Sequence, residues 1–297
     1  MVFKDYLAKI GKGGTRVDLK LGKEEYTLGE TIAGSLVIQG GIVTQQINKV
    51  DIDFAIHMQQ HDQVTTHLIQ RFSFGEPFEI HPGAKKTFPF TYTLPNNLLL
   101  SGYSISYSFA TRLDIAEAVD QTDHNSIVIL PPPSLRQIQA ALRELGFQEK
   151  YGSRSFDGYL QKFEFTPTSA LAKEVTHLQF AAKMEEDGIG LLMEVDLVGN
   201  HQVRREIHFT SKQLDDPAIL LQRLRQSVQE MINEPHRLGD SQKYYFRDHK
   251  QWSKLGAIGG FAAGLASGSW FKDDVKVNHD RLQDYSWLHF GGNGEKT

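Results

Sequence analysis

The chain has no cysteine in its 297 residues. That absence excludes a disulfide frame, a thiol nucleophile, a zinc–thiolate site and an iron–sulfur centre. A surplus of positive charge is missing too. The 32 Lys and Arg stand against 36 Asp and Glu, and a net charge of -4 argues against a dedicated nucleic-acid binder. The N-terminus lacks a long apolar core and a small-residue cleavage site, so no signal peptide is read there and a cytoplasmic protein is expected. Catalytic motifs are lacking as well. Gly11-Lys12-Gly13-Gly14 has neither the Walker spacing nor a Lys-Ser/Thr pair after it. Gly102-Tyr103-Ser104-Ile105-Ser106 does not end in the glycine of a nucleophile elbow. The expectation is therefore no enzyme, no catalytic residue and no cofactor.

The twelve histidines invite a metal reading, above all His57, His61 and His67. On one extended strand His57 and His61 would stand about 13 Å apart, too far for a single ion, although a loop could bring them closer. A solvated face is the preferred reading, and no metal site is assigned. Asp51 and Asp53, and the run Glu185-Glu186-Asp187, read as surface charge, while Lys85-Lys86 and Arg204-Arg205 read as solvated rims.

What the chain does have is alternation. In His81 to Asp114, Phe88, Phe90, Tyr92 and Leu94 fall on one side, with Thr87, Pro89, Thr91 and Thr93 between them. Pro95 stops that pattern, and Tyr103, Ile105, Tyr107, Phe109, Leu113 and Ile115 resume it. A period of two places alternate side chains on opposite faces of a strand, so each stretch is a half-buried strand. Val17–Leu21, Tyr26–Glu30, Thr31–Gln39, Val50–Met58, Val64–Phe74 and Ile127–Leu130 add further strands. In Val50–Met58 the residues Val50, Ile52, Phe54, Ile56 and Met58 point inward, and Asp51, Asp53 and His57 outward. Many short strands with glycine or proline turns predict a β-sandwich. Pro131-Pro132-Pro133 is a stiff segment and a domain boundary.

A helix follows, with Ser134 as cap, Gln137 as capping-box partner, an apolar stripe of Leu135, Ile138, Leu142 and Leu145, and Gly146 as stop. That stripe is expected near the junction of the two halves. Strands are read at Tyr159–Thr166, Val175–Met184, Gly190–Val198 and Arg204–Phe209. Asp216-Pro217 opens a second helix, whose face is Ala218, Leu221, Leu224, Val228 and Met231. Periodicity alone would allow this half to be an α+β unit of its own. The tail from His236 carries the block Lys243-Tyr244-Tyr245-Phe246-Arg247. It also carries an uncharged run, Leu255–Phe271, with Gly256, Gly260, Gly264 and Gly268 on every fourth residue. Small-xxx-small spacing suits close helix approach in a membrane, but 17 residues is short for a span. Two readings stay open for it, a loosely packed tail and membrane contact. At the other end Phe3, Tyr6, Leu7 and Ile10 form a small apolar face among lysines. With Trp252 and Trp270 they are the candidate membrane or partner contacts, because stable anchoring takes two weak signals.

GKGGTRVDLKL, YTLGETIAGSLVIQGG, QQINKVDI, IHPGAKKTFPFTYTLP and TRLDIAEAVD, in that order, resemble the first arrestin-like domain of the bacterial sporulation-control proteins. LRQIQAALRELGF, FEFTP and LLMEVD extend the resemblance through the second half. It covers about Gly11 to Asn233 and implies two tandem arrestin-like β-sandwich domains; with the flanking α-helices of the second and the Gly-rich C-terminal tail read from the residues, a mainly β fold is expected. The divisions are 1–130 (with 1–14 a short amphipathic segment), 134–235 with helices near 134–146 and 216–234, and 236–297. The resemblance implies a regulatory, non-enzymatic scaffold or adaptor in stress, developmental or cell-division control. It would bind partner proteins, make peripheral membrane contact and self-associate as a homo-oligomer. The competing expectation is a small-ligand or carbohydrate-binding sandwich module.

Overall fold

In the computed structural model, the described residues run from 13 to 235, apart from 61, 62, 170 and 200. The candidate contacts Phe3, Tyr6, Leu7, Ile10, Trp252 and Trp270, and the glycine run, lie outside them.

The first half consists of β1 (Arg16–Leu21), β2 (Glu25–Thr27), β3 (Thr31–Gln39), β4 (Gln45–Gln60), β5 (Gln63–Phe74), β6 (Phe78–Ile80), β7 (Lys85–Thr93), β8 (Ile105–Ile115) and β9 (Gln121–Leu130). They form a three-stranded sheet β1-β3-β7 and a six-stranded sheet β2-β9-β8-β4-β5, with β6 also paired to β4. Aromatic rings join the two sheets. Phe54 on β4 lies 4.7 Å from Phe109 on β8 and 5.4 Å from Tyr92 on β7, and Phe90 on β7 lies 5.3 Å from Phe72 on β5. Offset and edge-on pairs of this kind add to the burial of their large apolar area. Burial pushes the Tyr92 phenol up to about 12. Tyr103 departs from the expected inward series: it precedes β8 and is 63% exposed.

The second half runs α1 (Pro133–Glu144), β10 (Phe147–Glu149), β11 (Ser155–Phe156), β12 (Gln161–Pro167), β13 (Val175–Glu185), β14 (Gly188–Leu197), β15 (His201–Thr210), α2 (Ser211–Leu214) and α3 (Pro217–Asn233). Its strands make one six-stranded sheet, β10-β12-β13-β14-β15 with β11 on β12. The layer packed on that sheet is helical: α1 lies against α3, β10 and β14, and α3 also against β15. Two facing sheets therefore occur in the first half, and a sheet with a helical cover in the second. The cap of α1 is not Ser134. Pro132 holds the N-cap position without a side-chain bond, and Pro133 opens the helix, where its missing N–H costs nothing. Asp216 does cap α3, accepting from the N–H groups of Ala218 and Ile219. Ala218 itself is exposed, and Leu220 takes the buried place.

Candidate docking surface

The sandwich is closed along one side and open along the other. On the closed side β1 turns toward β9, where Leu19 N donates to Asp123 Oδ2 at 2.8 Å. On the open side, among the described residues, stand two edge strands, β7 of the small sheet and β5 of the large one. An edge presents unpaired backbone groups to any extended chain, and lysines or a proline are the usual protection. β7 has both, in Lys85, Lys86 and Pro89, and Lys86 Nζ sits 3.6 Å from the centroid of the Phe78 ring. β5 is 12 residues long, QVTTHLIQRFSF, with Arg71 as its only Lys, Arg, Asp or Glu. Arg71 is turned away to an ion pair. Val64 on β5 is 44% exposed. Among the described residues the remaining edges are the six-residue β1, which lies against β9, the two- and three-residue strands β2, β6, β10 and β11, and β15, charged along its length by Arg204, Arg205 and Glu206.

The outward residues of β4 do not form a solvated face. Asp53 is 1% exposed and His57 is fully buried, which corrects the reading of both as surface groups. Register explains it. Asp53 is opposite Arg71 on β5, and Arg112 reaches it diagonally from β8. Arg71 Nε donates to Oδ1 at 2.6 Å and Nη2 to Oδ2 at 2.9 Å, and Arg112 Nη2 also donates to Oδ2. Thr66 Oγ1 lies 2.9 Å from His57 Nδ1, and Ser108 Oγ lies 2.8 Å from Nε2. Burial, helped by the nearby His124, lowers the His57 pKa from 6.5 to about 4, so the ring is neutral at neutral pH. Hydroxyls thus occupy both ring nitrogens. Among the described residues no group of three or more His, Cys, Asp or Glu is placed to hold a metal ion. His67, on β5, is also lowered by burial.

The second sheet repeats the device. Glu194 on β14 pairs with Gln179 on β13 and Arg204 on β15. Both side chains donate to it, as does Gln202 at 2.9 Å. The Arg204 side chain is only 8% exposed, so it is no solvated rim.

Leu135, Ile138 and Leu142 of the α1 stripe are buried in a core cluster that runs through both halves. Gln161 on β12, which is fully buried, also reaches across the junction. Its Oε1 accepts from Leu100 N at 2.7 Å, and its Nε2 donates to Leu100 O at 3.0 Å and to Arg154 O at 2.9 Å. Leu100 precedes β8, so this amide bridges the halves, beside the Arg154–Ser101 hydrogen bond and the Tyr103–Tyr151 ring pair. Among the described residues no helix is long and apolar enough to cross a membrane. The open β5 edge and the Gln161 clamp were missed in the sequence. The scarcity of charge in Val64–Phe74 was the one available signal for the edge.

The family model described as "SpoOM protein" matches residues 3–199. The sporulation-control protein spo0M of Bacillus subtilis (strain 168) is 30% identical over 209 residues, covering 65% of this chain and 80% of that protein. The crystal structure of Spo0M, sporulation control protein, from Bacillus subtilis has a TM-score of 0.60 and 26% identity, over 73% of this chain and 99% of that one. The fold is accordingly mainly β and arrestin-like.

Proposed function

The chain belongs to the Spo0M family, and on that premise we propose that it is a regulatory scaffold in control of the sporulation type, acting by binding partner proteins. The observation that carries the docking mode is β5. It is a long edge whose single Arg is held in an ion pair with Asp53, while the other long edges carry lysines, a proline or repeated charge. An extended partner segment adding to such an edge gains main-chain hydrogen bonds, and alternate side chains supply selectivity. His57 and Asp53 support the edge from behind by fixing β5 and β8 to β4. The titratable groups of this face serve structure, which favours a binding protein over an enzyme.

The test is complementation. In Bacillus subtilis lacking its own sporulation-control protein, the unmodified chain should restore spore titre. The variant carrying Val64→Lys and Thr65→Lys should not, although its circular dichroism and melting match the parent. Both positions are exposed, so the lysines block the edge without touching the core. Failure of the unmodified chain removes the sporulation-type assignment. Full restoration by the lysine variant removes the β5 edge.

A further inference from the structure

A groove of about 370 Å³ lies in the second half, far along the chain from the β5 edge, where α1 and α3 both end. Gly146 creates it. Its φ of +95° reverses the chain directly after α1, a conformation that costs glycine little. Leu145 and Phe147 are thereby set on its wall. The Gly146 carbonyl then accepts from Thr168 N at 2.7 Å, and Leu171 N donates to Thr168 O at 3.0 Å. This turn brings Leu171 to the groove opposite Val228 and Ile232, which share one face of α3 at a spacing of four. The floor is apolar and the volume is at the small end for a ligand pocket, enough for one bulky side chain and its neighbours.

The rim is electrostatically one-sided. Glu144 and Glu174 are exposed carboxylates at its edge, against the single cation Arg225. Among the described residues none of the three enters a salt bridge. α3 also ends without a basic residue in its last turn, where its terminal carbonyls carry partial negative charge. The two carboxylates and the helix C-terminus favour a cation beside the apolar floor.

We infer that this groove docks a short basic–aromatic segment of a partner protein, with one aromatic or large aliphatic side chain in the groove and a flanking lysine or arginine against Glu144 and Glu174. Arg225 faces the other flank and disfavours a second cation there, which gives the segment a direction. The site is separate from the β5 edge and stands or falls independently of it.

The probe is a fluorescein-labelled synthetic peptide, acetyl-Gly-Lys-Trp-Gly-Gly amide, titrated with the full chain by fluorescence anisotropy. Saturable binding is expected, weakening as salt screens the rim. The double variant Glu144→Lys, Glu174→Lys should bind about tenfold more weakly, the scale of two exposed ion pairs lost and reversed. Ile232→Asp should abolish binding by placing a charge on the floor. Val64→Lys with Thr65→Lys should leave binding unchanged, which separates this site from the edge. Equal binding by the charge-reversed variant overturns the inference. So does equal binding by a peptide with alanine in place of tryptophan, which would mean surface electrostatics alone.

Discussion

The two six-stranded sheets solve the same problem on their outer faces and opposite problems on their inner ones. Each places a buried carboxylate on a strand flanked on both sides, Asp53 on β4 and Glu194 on β14, and each supplies the counter-groups from both neighbouring strands. Asp53 has two arginines, whose side chains are 40% and 27% exposed. Glu194 has one arginine, 8% exposed, and two glutamines. Inward, the first sheet meets another sheet through interleaved aromatics, and the second meets helices through aliphatic stripes. Cross-strand polar pairing thus depends on register, not on what covers the far side of the sheet. The same device serves a sandwich and a helix-covered sheet.

The sharpest break of this comparison is to remove each carboxylate's charge. Glu194→Gln removes the charge that faces Arg204, a side chain with little access to water, and should cost about 4 kcal/mol in urea unfolding at pH 7. Asp53→Asn removes the charge that faces two arginines that keep much of their hydration, and about 2 kcal/mol is expected. The reverse order would mean that water access to the orphaned cation does not set the cost.

Acid separates the halves next. His57 is depressed by burial from 6.5 to about 4, so the unfolded chain takes up its proton first. Its contribution is complete above pH 6.5 and is lost as pH falls toward 4, about 3 kcal/mol in all at about 1.4 kcal/mol per pH unit. Asp51 acts lower. Burial alone would raise its carboxyl, but hydrogen bonds from Lys49 and Ser73 outweigh it, so its part is lost only below 3.8. In the second half, burial of Glu164 is outweighed by bonds from Lys150 and Ser155, and burial of Glu185 by bonds from His208 and Lys183. Both carboxyls are lowered from 4.5, and their stabilisation is lost only below that value. Hydrogen exchange read by mass spectrometry should therefore show β4, β5 and β8 loosening between pH 6 and 4.5, before the second sheet. Simultaneous loosening, or loosening of the second sheet first, would count against the His57 account.

The last break lies between the halves. Gln161→Leu leaves the Leu100 N–H and carbonyl unpaired in a buried site and should cost about 2 kcal/mol. It should broaden the interdomain distance distribution in small-angle scattering more than glycines at Pro131–Pro133 do. A larger broadening from the glycines would make the stiff linker, not the amide clamp, the element that fixes the geometry.

Alternation and punctuation in the sequence determined much of this protein. Thr31–Gln39 is a strand with the expected bounds, Val50–Met58 lies inside the longer β4, and Asp216-Pro217 opens α3 because an acidic cap and a first-turn proline suit the orphan N–H groups there. Short segments such as β6 and β10 carry too few residues to show a period, and they were not legible. The candidate surface was less so. A period of two says which way Asp53 and His57 point, but not what lies beside them. Arg112 reaches Asp53 across 59 residues of sequence, and Gln161 reaches Leu100 across 61. Only tertiary pairing brings such groups together. Pairing alone also decides which long strand is left at an open edge, because edge status belongs to the sheet and not to the strand.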